Sequence, residues 1–302
     1  MFGVTILGNN SALPAHGRHP TSQIITIADE EILMIDCGEG TQMRIRDFRV
    51  KTSKLNHIFI SHLHGDHYFG AIGIITSMAL VGRTQSLHLY APAPLHALIL
   101  TQLKIADSTL PFELIFHPLT KEELLADEEK FSVSCFKVFH RIECYGFIIN
   151  EKHRPRKIMP AKAEEYNIPL TFYKKLQAGE DYSAPDGSVI KNQMVTIEGK
   201  KNRSYAFCAD TYYTEAYVSA IKDVDLIYHE ATYLNDLELQ AKQRFHSTAG
   251  QAAKIALKAG AKALLLGHFS SKYKDLSAFE SEAKEIFPNT EVTQEGVTYI
   301  VP

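Results

Sequence analysis

The seven residues Ser61-His62-Leu63-His64-Gly65-Asp66-His67 constrain this chain more than any other stretch of it. Residues 57–61 (HIFIS) are an apolar, β-branched run of the kind that forms a short strand. The next six residues then offer four potential metal ligands: His62, His64, Asp66 and His67. On a helix, residues two apart point away from each other, so His62 and His64 converge only in an extended turn. Gly65 is expected to permit the unusual backbone such a turn needs. Imidazoles mixed with one carboxylate suit zinc best among common metals. Four ligands from one loop exceed what a single ion takes, so two ions are expected. The 14 histidines of the chain make a search for further ligands worthwhile.

Those ligands lie where the strand pattern ends. Residues 131–139 alternate like a strand and are followed by His140. The run 204–208 (SYAFC) leads to Asp210, and 263–267 (ALLLG) leads to His268. Each candidate sits just past the C-terminal end of an apolar strand, where α/β proteins place their active sites. The strand 226–229 likewise ends in His229 and Glu230, and Phe245-His246-Ser247-Thr248 marks a helix start. A histidine held by a carboxylate can act as a general acid, and His246 with Glu230 is such a pair.

The remaining pattern is mixed. Residues 2–7, 23–28 and 31–35 read as an opening antiparallel meander, and 86–90 as another strand. Helical spacing runs through 70–80, 95–106, 214–221, 248–259 and 276–286, with Ser247 or Thr248 and Asp275 as caps. The expected fold is α/β, with two halves of strand and helix layered around central sheets. One stretch departs from this: 151–202 is polar, with four prolines. It carries the cations Lys152, Arg154, Arg156 and Lys157 and the aromatics Tyr166, Phe172, Tyr173 and Tyr182. A long insertion of this kind is usually functional.

Composition narrows the class. A net charge of −3 argues against a uniformly basic nucleic-acid binder but leaves room for a local basic patch. The four cysteines, Cys37, Cys135, Cys144 and Cys208, form no CxxC pair and read as buried free thiols. No apolar run is long enough for a membrane span, and the first residues lack a signal-like pattern, so a cytoplasmic protein is expected.

These motifs together resemble the metallo-β-lactamase superfamily, whose HxHxDH signature is residues 62–67, and within it the ribonuclease Z family. Asp36-Cys37-Gly38-Glu39-Gly40-Thr41-Gln42, His140-Arg141 with Tyr145-Gly146, and Ala209-Asp210-Thr211 match segments of that family. So do His229-Glu230-Ala231-Thr232, His246-Ser247-Thr248 and His268-Phe269-Ser270-Ser271-Lys272-Tyr273. The resemblance implies a four-layer αββα sandwich, with 1–302 as one domain and 151–202 as a flexible substrate-binding arm inserted into it. It also implies a homodimer, precursor tRNA as substrate and two zinc ions per subunit. His62, His64 and His140 would hold one ion, Asp66, His67 and His268 the other, and Asp210 both. Asp36 would orient a ligand.

Two segments depart from the family pattern. The N-terminal loop Pro14-Ala15-His16-Gly17-Arg18-His19 lacks the family's lysine and asparagine, and Leu170-Thr171 replaces a Gly-Pro pair in the arm. The implied activity is removal of the 3′ trailer from precursor tRNA, with Asp66 as base and His246, steadied by Glu230, as acid. The alternative is a phosphodiesterase or arylsulfatase of the same fold acting on small molecules. A non-catalytic RNA-binding scaffold ranks last, since it predicts eroded ligands and all seven are present.

Overall fold

The computed structural model describes residues 1–28, 30–152, 155–199 and 201–302. Two seven-stranded sheets form its centre. In chain order the strands are β1 (Phe2–Gly8), β2 (Ser22–Ile27), β3 (Glu31–Cys37), β4 (Leu55–Phe59), β5 (Leu87–Pro92) and β6 (Leu114–Leu119). There follow β7 (Leu124–Asp127), β8 (Phe131–Phe139), β9 (Glu143–Glu151), β10 (Ser204–Cys208) and β11 (Leu226–Glu230). The last three are β12 (Ala263–Gly267), β13 (Thr290–Val292) and β14 (Thr298–Ile300). The first sheet runs β14-β1-β2-β3-β4-β5-β6 and the second β13-β12-β11-β10-β9-β8-β7. Each has an antiparallel half and a parallel half: β3 to β6 are parallel in the first sheet, β10 to β13 in the second. Of the parallel strands, β4 runs toward His62, β10 toward Asp210 and β12 toward His268.

Burial explains the layering. Phe2, Val4, Leu33, Ile35 and Phe59 from the first sheet share one core with Phe147, Ile149, Tyr205 and Phe207 from the second. The opposite face of the first sheet (Ile24, Met34, Ile58) is covered by Ile74, Ile75 and Met78 of the helix Ala71–Leu80 and by Ile99 and Leu103 of Pro94–Ile105. Over the second sheet lie the helices Ala249–Ala259 and Ser277–Lys284. Helix, sheet, sheet and helix make the αββα sandwich. Thr248 is the cap of its helix, in a capping box with Gln251. Asp275 accepts from the backbone N–H of Ser277 at 2.9 Å and sits just before the helix it was expected to cap. All four cysteines are buried and free, and burial pushes the Cys37 thiol up to about 12.

Residues 214–221 are not a helix. They form successive turns, with Val218 N–H bonded to Glu215 O and Ala220 N–H to Tyr217 O. Tyr217 and Ile221 are drawn into the core, and the Tyr217 hydroxyl lies 2.7 Å from His229 Nε2. Tertiary anchoring overrides a helical propensity already weakened by Thr214, Tyr217, Val218 and Ile221.

The stretch 151–202 is an insertion between the paired strands β9 and β10. It has its own small core of Ala163, Ile168, Leu176, Ile190 and Val195. Its root is clasped where the Arg203 guanidinium meets Glu151, Nη2 to Oε1 at 2.8 Å and Nε to Oε2 at 2.9 Å. Among the described residues no helix is long and apolar enough to cross a membrane.

At the far end of the first sheet, His57, His88 and His117 stack across β4, β5 and β6, with centroids 4.9 and 5.2 Å apart. Burial, helped by His88 and His117, lowers the His57 pKa to about 4. The folded state therefore refuses a proton that the unfolded chain takes up at about 6.5. Stability should fall by about 3 kcal/mol as pH drops from 6.5 toward 4. Denaturant midpoints of the wild type and His57→Phe at pH 7 and 5 test this: the variant should lose less on acidification. An equal loss would show that His57 is not the cause.

Candidate metal centre

The seven expected ligands converge, and the reason lies in the strand ends. β4 stops at Phe59, and Ser61 and His62 continue inward, both fully buried. The chain then turns at His64 into the short helix Gly65–Tyr68, which carries Asp66 and His67. The expectation of an extended turn therefore holds only as far as His64. Gly65 holds no unusual φ; what its missing side chain leaves room for is the exposed Phe69 ring, which a Cβ would approach to 2.1 Å.

Two sets of donor atoms result. In the first, His64 Nδ1 is 3.0 Å from His62 Nε2 and 3.0 Å from His140 Nε2. Asp210 Oδ2 closes that set at 3.7 Å from His62 Nε2 and 3.8 Å from His140 Nε2. In the second, His67 Nε2 and His268 Nε2 are 3.3 Å apart, and each is 3.4 Å from Asp66 Oδ2. Asp210 Oδ1 completes it at 3.5 Å from His67 Nε2 and 3.2 Å from His268 Nε2. Nitrogen and oxygen donors about 2.0–2.1 Å from a tetrahedral zinc are about 3.3 Å from one another, a length that these separations of 3.0–3.8 Å bracket. Asp210 Oδ1 is buried with no hydrogen-bond partner, as a carboxylate oxygen reserved for an ion would be.

The electrostatics agree. Burial holds the His62 imidazole well below its ordinary range and that of His140 below it; burial together with His140 brings His64 down to about 4. All three are neutral near pH 7, the form that ligates. Burial opposes the charges of Asp210 and His67, but their mutual attraction and the neighbouring His268, Asp66 and Asp36 outweigh it. Carboxylates gathered this closely in a buried site call for positive charge.

Supporting groups fix each imidazole. Asp36 accepts from Ser61 N–H at 2.7 Å, Ser61 Oγ at 2.9 Å and His67 Nδ1 at 2.7 Å, leaving His67 Nε2 for the centre. Ser61 Oγ lies 3.0 Å from His62 Nδ1, and the Phe245 carbonyl 2.9 Å from His140 Nδ1. The Ala12 N–H, on the N-terminal loop, donates to Asp66 Oδ2 at 2.8 Å. Ala12, Asp36, Phe245 and His268 hold φ of 57°, 56°, 60° and 60°, so four non-glycine residues around this one site sit in the left-handed region. Neither the Ala12 amide nor the Phe245 carbonyl was legible in the sequence, because backbone groups carry no residue signature.

His246 and Glu230 pair as expected, Nδ1 to Oε1 at 2.9 Å. Glu230 is buried and also accepts from the N–H groups of Thr211 and Ser247 at 3.1 and 3.0 Å. Burial works against a charge on His246, but Glu230 outweighs it and raises the pKa to about 8. The centre opens into a cleft of about 820 Å³ whose lining includes Ala12, Arg141, Tyr233, Phe245 and His246.

The arm's expected contacts differ from the sequence expectation. Arg154 lies outside the described residues. Lys152 Nζ is engaged by Asp127 and by the Glu128 carbonyl, and Arg156 Nε donates to Thr196 Oγ1 at 2.8 Å. Tyr166, Phe172, Tyr173 and Tyr182 pack against the arm's own core, Phe172 edge-on to Tyr182 with centroids 4.9 Å apart. These cations and rings therefore build the arm first. Tyr166 and Tyr182 also face a second cleft, of about 580 Å³.

Comparison with known proteins places this geometry. Residues 2–154 match the family model described as anti-Pycsar protein Apyc1, and 174–269 match the beta-lactamase superfamily domain. The chain is 42% identical over 298 residues to a ribonuclease Z of Bacteroides thetaiotaomicron, covering 98% of this chain and 94% of that protein. It is 42% identical over 291 residues to a ribonuclease Z of Porphyromonas gingivalis, covering 96% and 95%. Among solved structures, human tRNase Z, short form, superposes with a TM-score of 0.73 at 25% identity, covering 99% of each chain.

Proposed function

This chain belongs to the ribonuclease Z family, and from that premise we propose how its cleft removes the 3′ trailer from precursor tRNA. The observation that carries the scheme is the pair of donor clusters, His62–His64–His140–Asp210 and Asp66–His67–His268, with Asp210 Oδ1 reaching the second and the His246–Glu230 pair beside them. His62, His64, His140 and Asp210 would hold one zinc ion, and Asp66, His67, His268 and Asp210 the other. When bound, two such ions supply an acidified water near neutral pH and offset charge growing on the phosphoryl oxygens. The protein's own groups do the rest. Asp66 accepts the proton of the attacking water and is kept in place by the Ala12 N–H. His246 uses Nδ1–H to hold Glu230, which leaves Nε2 to give a proton to the departing 3′ oxygen. Water is consumed, the P–O3′ bond breaks, and the tRNA leaves with a 3′ hydroxyl.

The arm enters the scheme through its position. It leaves the sheet at the end of β9 and returns at the start of β10, whereas Asp210 follows the other end of β10. The five residues of β10 set the arm's root on the order of 15 Å from its own metal centre, at the opposite edge of the sheet. A homodimer resolves this, with the arm of one protomer gripping tRNA bound at its partner's cleft. Deletion of 155–195 should lower kcat/KM on a 3′-extended tRNA roughly a hundredfold, through lost phosphate and stacking contacts. Turnover of bis(p-nitrophenyl) phosphate should stay within about twofold, since that substrate needs only the metal centre. Equal losses on both substrates would refute the arm's role. An unchanged rate on tRNA would favour a phosphodiesterase or arylsulfatase acting on small molecules.

A further inference from the structure

Thr232 lies between the two functional parts of the cleft, and its hydroxyl proton can be placed by elimination. Glu230 is an acceptor on both oxygens. Oε1 takes His246 Nδ1–H and two backbone N–H groups, and Oε2 takes the Thr232 N–H at 3.0 Å and the Thr232 hydroxyl at 2.8 Å. A hydroxyl has one proton to donate, and here it is committed to Glu230. The same oxygen lies 3.0 Å from His268 Nδ1. In that contact the imidazole must be the donor. Neutral His268 is thereby held with its proton on Nδ1 and its lone pair on Nε2, the atom 3.2 Å from Asp210 Oδ1 and 3.4 Å from Asp66 Oδ2. Thr232 Oγ1 is also 3.2 Å from His246 Nδ1, a longer second approach to a proton already bound by Glu230. Glu230, Thr232 and His268 are all buried.

We infer that Thr232 is a positioning residue that lets one buried carboxylate serve two ends: Glu230 holds the proton donor directly and the ligand His268 through the Thr232 hydroxyl. The inference rests on the two-ion reading of the site. Its consequence is asymmetric. His62 is held through Ser61, His140 through the Phe245 carbonyl and His67 through Asp36, and His64 Nε2 lies 3.1 Å from Arg141 Nη2; among the described ligands it is His268 that leans on Thr232.

Thr232→Val keeps the shape and removes the hydroxyl; Thr232→Ser keeps the hydroxyl. Zinc affinity read by competition with a chromophoric chelator should show two ions in the wild type. In Thr232→Val one ion should bind about 10–100-fold more weakly, the range for loss of a group that orients a ligand, while the other changes by less than about threefold. Thr232→Ser should restore both. Turnover of bis(p-nitrophenyl) phosphate by Thr232→Val should recover with excess zinc, which a general packing defect would not do. Should the valine variant fail to fold, Thr232→Ala serves the same titration. Two ions held as in the wild type, or both weakened alike, would overturn the inference. A wild type that binds fewer than two ions would instead overturn the two-ion reading beneath it.

Discussion

Asp210→Ala is expected to lose both metal ions together and to lower cleavage of a precursor tRNA by ~10⁴-fold or more, about 5 kcal/mol of barrier. No other ligand has this reach. Its Oδ2 completes one donor set and its Oδ1 the other, so removing it leaves three donors on each side. It also removes the carboxylate that, with Asp66 and Asp36, sustains positive charge on this buried cluster. Loss of one peripheral ligand such as His64 should instead weaken one ion first. A variant that retains one ion at wild-type affinity would show that the two sets do not share Asp210.

His246→Ala should separate the metal centre from the proton donor. On precursor tRNA its kcat should fall about 10²–10³-fold, the usual contribution of a positioned general acid. On bis(p-nitrophenyl) phosphate the loss should be small, because p-nitrophenolate departs without a proton. The pH dependence follows from the same pair. Glu230 raises the His246 pKa to about 8 against the effect of burial, so the imidazole carries its proton below that value and loses it above. Wild-type kcat on tRNA should therefore decline as pH rises through about 8, and His246→Ala should lack that limb. Equal losses on both substrates would mean that His246 supports the metals rather than the leaving group.

The proposed ligands were legible in the sequence because each follows a recognisable strand, His140, Asp210 and His268 by one or two residues. The heptapeptide after 57–61, His140, Asp210 and His268 all follow that rule, and parallel strands bring such ends together. The layered fold was legible for the same reason, through the strand periodicity around those sites. What escaped the sequence depends on distance rather than residue type. Thr232 was visible only as part of a motif; its role comes from lying between Glu230 and His268, 2.8 and 3.0 Å away. Gly65 was correctly singled out for the wrong physical reason, since the Phe69 ring that crowds it is a neighbour on the same turn. The inward packing of the aromatics of 151–202 escaped as well, because nothing in a polar, proline-rich stretch signals that it closes a small core of its own. Residues 214–221 had helical spacing, but Tyr217 is fixed by His229, a contact across the fold that local periodicity does not encode.

Elemental analysis of the purified wild type and Asp210→Ala, paired with cleavage of a 3′-extended tRNA by the same samples, tests the scheme in which two ions held through Asp210 cut the trailer. That scheme requires two zinc ions per chain and a trimmed tRNA with a 3′ hydroxyl for the wild type, and neither for the variant. Trailer removal by a wild type holding no more than one ion, or by Asp210→Ala at a comparable rate, would contradict it.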